Sequence, residues 1–420
     1  LDPQRLRNAA AVAQRDLLAE LDASGHWVGR LSSSALSTAT AVSALSAAKA
    51  AGVTSDAAEG LLHRGVEYIA AAQNDDGGWG DTDKSFSNIA TTMLARAALH
   101  LAGADASHAG VLDRAVLYIE KQGGLEGLRR RYGKDKTFAV PILMNQALAG
   151  LVDWRRVFPL PFELACLPHA VLGAVRLPVV SYAIPALVAI GQARYFHAKP
   201  RNPIARLVRG LSVNKSLAVL ERMQPASGGF LEAAPLTSFV CMSLASIGRA
   251  DHPVVRRGLR FLQETVREDG SWAIDVNLAA WLTTLSVNAL GPCEELPDCL
   301  DWILSCRHTE VHPFTAAAPG GWGWTDLSGS VPDADDTPGA LLALKVLWER
   351  ATDIQKARIR EAVLSGVRWL LNLQNGDGGF PTFCRGWGTM PFDRGSTDLT
   401  AHAIRAFFAD LGFPEDALQP

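Results

Sequence analysis

The chain has 420 residues, 48% hydrophobic and 20% charged, which suits about two to three packed domains and excludes a disordered or collagen-like polymer. Forty Lys and Arg against 43 Asp and Glu leave a net charge of −3, so no basic excess is available to neutralise phosphates and nucleic acid is not an expected partner. The six cysteines (166, 241, 293, 299, 306 and 384) form no C-x-x-C pair and no His/Cys ligand spacing, which reads as reduced, mostly buried thiols in a cytosolic-type compartment.

Tryptophan is the outlier, with 11 residues against five tyrosines. Trp27, Trp79, Trp272, Trp322, Trp324 and Trp387 each follow a glycine within two positions, the mark of a repeated turn. The first such turn is at Trp27, with Leu21 six residues before it. The pattern is fullest at Gly65, Gln73 and Trp79 (GVEYIAAAQNDDGGW), which leads into a Ser/Thr-rich bend and the apolar run SNIATTMLARAALHLAG. The unit predicted is helix, glycine-rich turn, helix, the second helix often starting on a Ser, Thr or Asp cap.

From Val157 to Gln192 the pattern breaks. The only formal charges there are Glu163 and Arg176, and prolines at 159, 161, 168, 178 and 185 stop any helix from running the ~20 residues that span a bilayer. Two readings stay open: a buried core segment, or an apolar plateau that dips into one leaflet without crossing it. Arg194, Lys199, Arg201, Arg206 and Arg209 follow at once, as suits anionic headgroups.

The repeat then resumes at Ser216, Gln224 and Phe230, loosely at Val266 and Trp272, and fully at Gly366, Gln374 and Phe380. Spacings run from 42 residues (Phe230 to Trp272) to 58 (Trp322 to Phe380). No stretch alternates with strand period for more than a few residues, whereas Ala/Leu-rich helical runs abound, so the expected fold is an all-α toroid of inner and outer helices.

Two places carry chemistry. In GGWGWTDLSGSVPDADDTPGALLALKVLWER, Asp333, Asp335 and Asp336 set three carboxylates within four positions. Thr337 as N-cap with Pro338 opening a helix explains part of this. It does not require three aspartates, and crowded carboxylates in a dry site make at least one keep its proton at neutral pH, ready to act as a general acid. Further on, Asp398 and His402 stand four apart and would share a helix face. Trp322 and Trp324, just before the triplet, are either core packing or a π-surface for a cation.

The D-x-D-D-T stretch at 333–337, the Q-x-x-x-x-G-aromatic repeats and the D-x-T-A-H of 398–402, all in family order from about Ala9 onward, together resemble the squalene–hopene cyclases, proton-initiated (class II) triterpene cyclases. The resemblance implies two α/α barrels, here 1–262 and a partial catalytic barrel 263–420, with the apolar segment near 157–192 facing a membrane. It implies that Asp335 protonates a terminal alkene of a linear polyprenoid such as squalene, that Asp333 and Asp336 tune it, and that His402, supported by Asp398, hydrogen-bonds the acid. Trp272, Trp324 and Phe383 fall where such enzymes place cation-stabilising aromatics, and the repeat Gln and Trp side chains become structural clamps. Monotopic attachment at the cytoplasmic face of a membrane is implied, with membrane lipid as a partner and room for a homodimer. Proton-initiated chemistry needs no cofactor and no metal, and no D-D-x-x-D box for ionising a diphosphate is present.

The chain departs from the family at three points. Family members run on for about 200 further residues, so this chain by itself is expected to be inactive or aggregation-prone; Pro338 follows the motif in place of a small residue; and 177–190 lacks an expected tryptophan. The readings weighed against a cyclase are an inverting glycoside hydrolase on an α/α toroid, a protein prenyltransferase β-subunit, for which no zinc cluster is evident, and a lipid-binding scaffold without activity.

Overall fold

The computed structural model describes residues 2–53, 55–133, 138–168, 184–313, 315–384 and 393–409. Among them the secondary structure is helical, with only isolated β-bridges. The chain divides into two compact units: Leu31–Val276, and Leu1–Arg30 with Asn277–Pro420.

Among the described residues of the unit Leu31–Val276, five helices form an inner ring: α2 (Ala35–Ala50), α4 (Ile89–Leu101), α7 (Ala139–Leu148), α8 (Ile184–His197) and α10 (Ala234–Ala245), each packed on the next and α10 returning to α2. Around them lie α3 (Asp56–Ala71), α5 (Ala109–Lys121), α6 (Gly124–Tyr132), α9 (Pro203–Met223) and α11 (Pro253–Glu264). The sequence separates the two layers. Inner α2 is rich in Ala, Ser and Thr and buried over most of its length, whereas α11 buries one stripe (Val254, Val255, Gly258, Leu259, Phe261, Leu262) and shows arginines outward, the pattern of a one-sided helix.

The other unit holds α1 (Pro3–Ala19), α12 (Ala279–Leu290), α13 (Leu300–Ser305), α14 (Asp336–Trp348), α15 (Asp353–Leu373) and α16 (Thr397–Phe407). There α14 packs on α12, α15 and α16.

The predicted turns share one construction. The aromatic at each turn donates its backbone N–H to a threonine hydroxyl at 3.0 Å: Trp27 to Thr283, Trp79 to Thr92, Phe230 to Thr237, Trp272 to Thr38, Trp322 to Thr337 and Phe380 to Thr400. Where the aromatic is tryptophan, its indole N–H reaches back to a carbonyl of the preceding helix at 2.8 Å: Leu17, Ile69, Leu262 and Ile303. The glutamines close the other side. Gln73 donates to the carbonyls of Gly77 and Val111, Gln224 to those of Gly228 and Val254, and Gln374 to that of Gly378. Glycine is required at the bend: Gly228 sits at φ +86, and a Cβ there would lie 2.5 Å from the Arg257 carbonyl oxygen.

These pairings explain why the units differ from the sequence division at 262/263. The turn around Trp272 is clamped to Thr38 of α2, Ser34 donates its N–H to the Trp272 carbonyl at 3.0 Å, and Arg267 binds the Leu31 carbonyl, so 263–276 completes the first ring. Residues 1–30 belong with the later unit because Trp27 pairs with Thr283 and the Leu278 N–H meets the Gly29 carbonyl at 3.2 Å.

Of the apolar stretch 157–192, residues 169–183 lie outside the described residues, and Arg176 with them. The described remainder is partly core: Phe162, Val188, Ala189 and Ile190 are fully buried. Glu163 pairs with Arg209 at 3.2 Å, and the same guanidinium donates to the Pro159 carbonyl at 3.3 Å and lies 5.8 Å from the Phe162 ring centre. Arg194 donates to the carbonyls of Val157 and Ala198. Two of the five basic residues expected beside headgroups therefore turn inward. Among the described residues no helix is long and apolar enough to cross a membrane.

Candidate active site

The triplet stands where the turn after Trp322 enters α14. Asp333, rather than Thr337, caps this helix: one carboxylate oxygen accepts the N–H of Asp335 at 2.8 Å and of Asp336 at 2.7 Å. Thr337 lies inside the first turn, where its hydroxyl accepts the Trp322 N–H and donates to the Trp322 carbonyl at 3.2 Å. The expected capping role of Thr337 is thus corrected. Its place is the repeat's threonine position, shared with Thr38, Thr92, Thr237, Thr283 and Thr400.

Burial divides the three acids. Asp333 and Asp336 are 3% and 5% exposed, whereas the Asp335 side chain is 39% exposed. Burial pushes the Asp333 carboxyl up to about 6, against the pull of its hydrogen bonds from Asp336 and the backbone. Burial, then the neighbouring Asp333 charge, raises Asp336 well above the usual carboxylate range. The pair therefore keeps one proton, held on Asp336 and directed at Asp333. The sequence expected a retained proton but did not say on which acid; both enclosed acids are desolvated, and the backbone N–H groups that Asp333 accepts leave the proton to Asp336.

Asp335 has a different partner. Its Oδ1 lies 3.0 Å from Nδ1 of His402, 67 positions later on α16. Gly339 lies beside this contact: a Cβ there would sit tightly against Thr284 Oγ1 at 3.1 Å and in ordinary contact with His402 Cε1 at 3.6 Å. Asn288 of α12 holds the same turn by donating to the Gly339 carbonyl at 3.1 Å. Neither Gly339 nor Asn288 was picked out from the sequence, and the signal available was only a glycine one helical turn past the central aspartate.

The structure does not bring Asp398 to His402. Asp398 is exposed in the first turn of α16, where it accepts the Ser396 hydroxyl, a bond that holds its carboxyl below the usual range. Side chains at i and i+4 share a face only loosely, and a nearer hydroxyl captured this one. Trp272 is also reassigned. It is 0% exposed within the unit Leu31–Val276, with its indole N–H on Leu262 and its backbone on Thr38, so it belongs with the repeat tryptophans rather than around a cation. Trp324 and Phe383 are half-buried in the same unit as Asp335. The Trp324 carbonyl accepts the N–H groups of Ala280 and Trp281 at 3.0 and 3.1 Å and so anchors the start of α12. Trp387 lies outside the described residues.

Comparison with known proteins now adds to the geometry. The squalene-hopene cyclase N-terminal domain matches residues 10–183, and the prenyltransferase alpha-alpha toroid domain matches residues 273–400. Both matches support the resemblance to the squalene–hopene cyclases. Sporulenol synthase of Bacillus subtilis (strain 168) is 29% identical over 253 residues, covering 53% of this chain and 37% of the relative. A terpene cyclase–glycosyl transferase fusion protein of Humicola fuscoatra is 25% identical, over 97% of this chain and 35% of its own length. Squalene–hopene cyclase of Alicyclobacillus acidocaldarius is 24% identical over 83% of this chain and 60% of its own. The chain thus spans less than two thirds of the length of these curated relatives.

Proposed function

We propose that this chain carries the acid of a proton-initiated terpene cyclase and that its substrate is a linear polyprenoid such as squalene. The observation that carries the reading is the Asp335–His402 contact at 3.0 Å, on the one acid of the triplet with an open face. Asp335 donates a proton to the terminal alkene, leaving a tertiary carbocation and the Asp335 carboxylate. An N–H of His402 directed at Oδ1 stabilises that carboxylate, so the proton leaves from the other oxygen. Successive alkenes attack the cation to close rings, and loss of a proton or capture of water ends the sequence. Asp333 and Asp336 position the loop; their shared proton stays out of the reaction because both are enclosed. Trp324 and Phe383 are the aromatic faces proposed to stabilise the cation.

The test is incubation of the full-length gene product and its Asp335→Asn variant with squalene and with C20 and C35 polyprenes, with products separated by gas chromatography. Asparagine keeps the size of the side chain but has no transferable proton. The cyclised product is expected to fall by more than the ~10²–10⁴-fold typical of a lost general acid, since here the proton is the only electrophile. Near wild-type cyclisation by Asp335→Asn would overturn the assignment.

Attachment to one face of a membrane, the cytoplasmic one, belongs to the same proposal. It is supported by α9, on which Ile204, Leu207, Val208 and Leu211 follow helical spacing and are 71, 64, 45 and 70% exposed. Phe158, Leu167 and Phe196 add further exposed apolar surface in the neighbouring segments.

A further inference from the structure

Away from the acid cluster, the unit Leu31–Val276 has a cavity of about 880 Å³ between the loop that follows α7 and the C-terminal end of α8. Four cations from two separate stretches line it: Arg155, Arg194, Lys199 and Arg201. One wall is a flat aromatic pair, Trp154 stacked on His197 with ring centres 4.2 Å apart and planes at 11°. His197 Nε2 lies 3.1 Å from the Ser246 hydroxyl, which fixes the ring.

The positive charge is not cancelled locally. Among the described residues Asp153 is the sole carboxylate on the lining, and one of its oxygens already accepts the Arg155 backbone N–H at 2.7 Å. Arg194 spends its donors on the carbonyls of Val157 and Ala198, which satisfy hydrogen bonds but leave the charge. Among the described residues none of the four cations forms an ion pair with a carboxylate. Burial, then the charge of Arg209, holds the Arg194 guanidinium below its ordinary range, with the Asp153 charge opposing this and that of Arg155 adding to it. The C-terminus of α8 attracts cations and accounts for Arg194. It does not account for Arg155, which comes from another element, nor for Lys199 and Arg201 beyond the last turn.

We propose that this cavity binds the phosphate of an anionic phospholipid headgroup. A lipid is favoured over a soluble phosphate by what adjoins the cavity. Two residues after Arg201 begins α9, with its exposed row of Ile204, Leu207, Val208 and Leu211. The start of α9 is tied to the cavity segment by the Tyr195 hydroxyl on the Arg206 carbonyl and by Arg206 on the Pro200 carbonyl, both 3.2 Å. Headgroup in the cavity and acyl chains against α9 satisfy both surfaces at once. The inference rests on the membrane attachment proposed above.

Vesicle flotation separates the two. Wild type is compared on phosphatidylcholine vesicles and on vesicles containing phosphatidylglycerol, alongside the triple variant Arg155→Ser, Lys199→Ser, Arg201→Ser. A control variant, Arg130→Ser with Arg131→Ser, removes two surface arginines on α6. At about fivefold per basic residue near an anionic surface, the triple variant is expected to lose about 100-fold of the phosphatidylglycerol preference and to keep its phosphatidylcholine binding, with the control almost unchanged. An unchanged helical circular dichroism signal shows that the triple variant is folded. Equal preference in wild type and triple variant, or an equal loss in the control, overturns the headgroup site while membrane attachment stands. Failure of wild type to bind either vesicle overturns attachment itself. Binding of glycerol 3-phosphate in calorimetry that the triple variant abolishes, with no vesicle preference, assigns the cavity to a soluble phosphate and overturns the lipid assignment.

Discussion

Replacing Thr337 by valine tests the claim that the threonine of the D-x-D-D-T stretch is a fold element rather than part of the acid. Valine keeps the shape and removes the hydroxyl. The Trp322 N–H, now donating to Thr337 Oγ1 at 3.0 Å in a site where both residues are almost wholly enclosed, is then left without a partner. An orphaned buried donor costs about 1–3 kcal/mol, and the bond from the Thr337 hydroxyl to the Trp322 carbonyl adds about 1 kcal/mol. The carbonyl itself stays satisfied, because it also accepts the Asp333 N–H at 2.9 Å. The sum is about 2–4 kcal/mol, or roughly 5–15 °C in Tm for a unit of this size. Thr337→Ser keeps both bonds, loses one methyl group and is expected to cost about 1 kcal/mol. The assay is thermal and urea unfolding followed by far-UV circular dichroism. Thr92→Val in the other unit serves as a parallel, since Thr92 accepts the Trp79 N–H at 3.0 Å and donates to the Asn88 carbonyl at 2.7 Å. If Thr337→Val melts within about 2 °C of Thr337→Ser while Thr92→Val falls as expected, the repeat reading of the motif threonine is wrong.

Other outcomes follow from the same geometry. Asp336→Asn supplies a neutral donor where a protonated carboxyl now stands, so it should lower cyclisation far less than Asp335→Asn, whereas His402→Ala should lower turnover by at least tenfold with little change in Tm; rates on squalene and melting curves read both. Asp275, bridged to Ala233, has its carboxyl pushed up to about 7 by burial and by the Glu232 charge. Its folded value lies above its unfolded value of 3.8. It therefore supports the fold fully below about pH 4, and that support is lost as pH rises to 7 and beyond, on the order of 3–4 kcal/mol at most. Asp275→Asn should flatten the fall in stability between pH 4 and 8, and an unchanged slope in urea titrations at several pH values counts against it. Leu207→Glu with Leu211→Glu on α9 should abolish flotation with vesicles of either composition, and retained flotation removes the support that α9 gives to membrane attachment.

The helices, the glycine bends and the crowding of the three aspartates were legible in the sequence because they are local: periodicity, left-handed glycine and spacing act within a dozen residues. The clamping role of the glutamines was implied by the resemblance, and their partners include the glycine four residues on. What closes the repeats was not legible. The threonine that receives each turn lies 7 residues away at Phe230, 20 at Phe380, 234 at Trp272 and 256 at Trp27, so no fixed spacing announces it. Ring closure decided those pairings, and with them the division that returns residues 1–30 to the later unit. The acids divide the same way. Three carboxylates within four positions made a retained proton the expectation for a dry site, but only packing could bury two and expose one. His402 reached Asp335 across 67 positions because α16 packs on α14, while Asp398, nearer in sequence, was taken by Ser396. Residue types determined what groups were available; desolvation and contacts distant in the chain determined which carboxyl is open and which are enclosed.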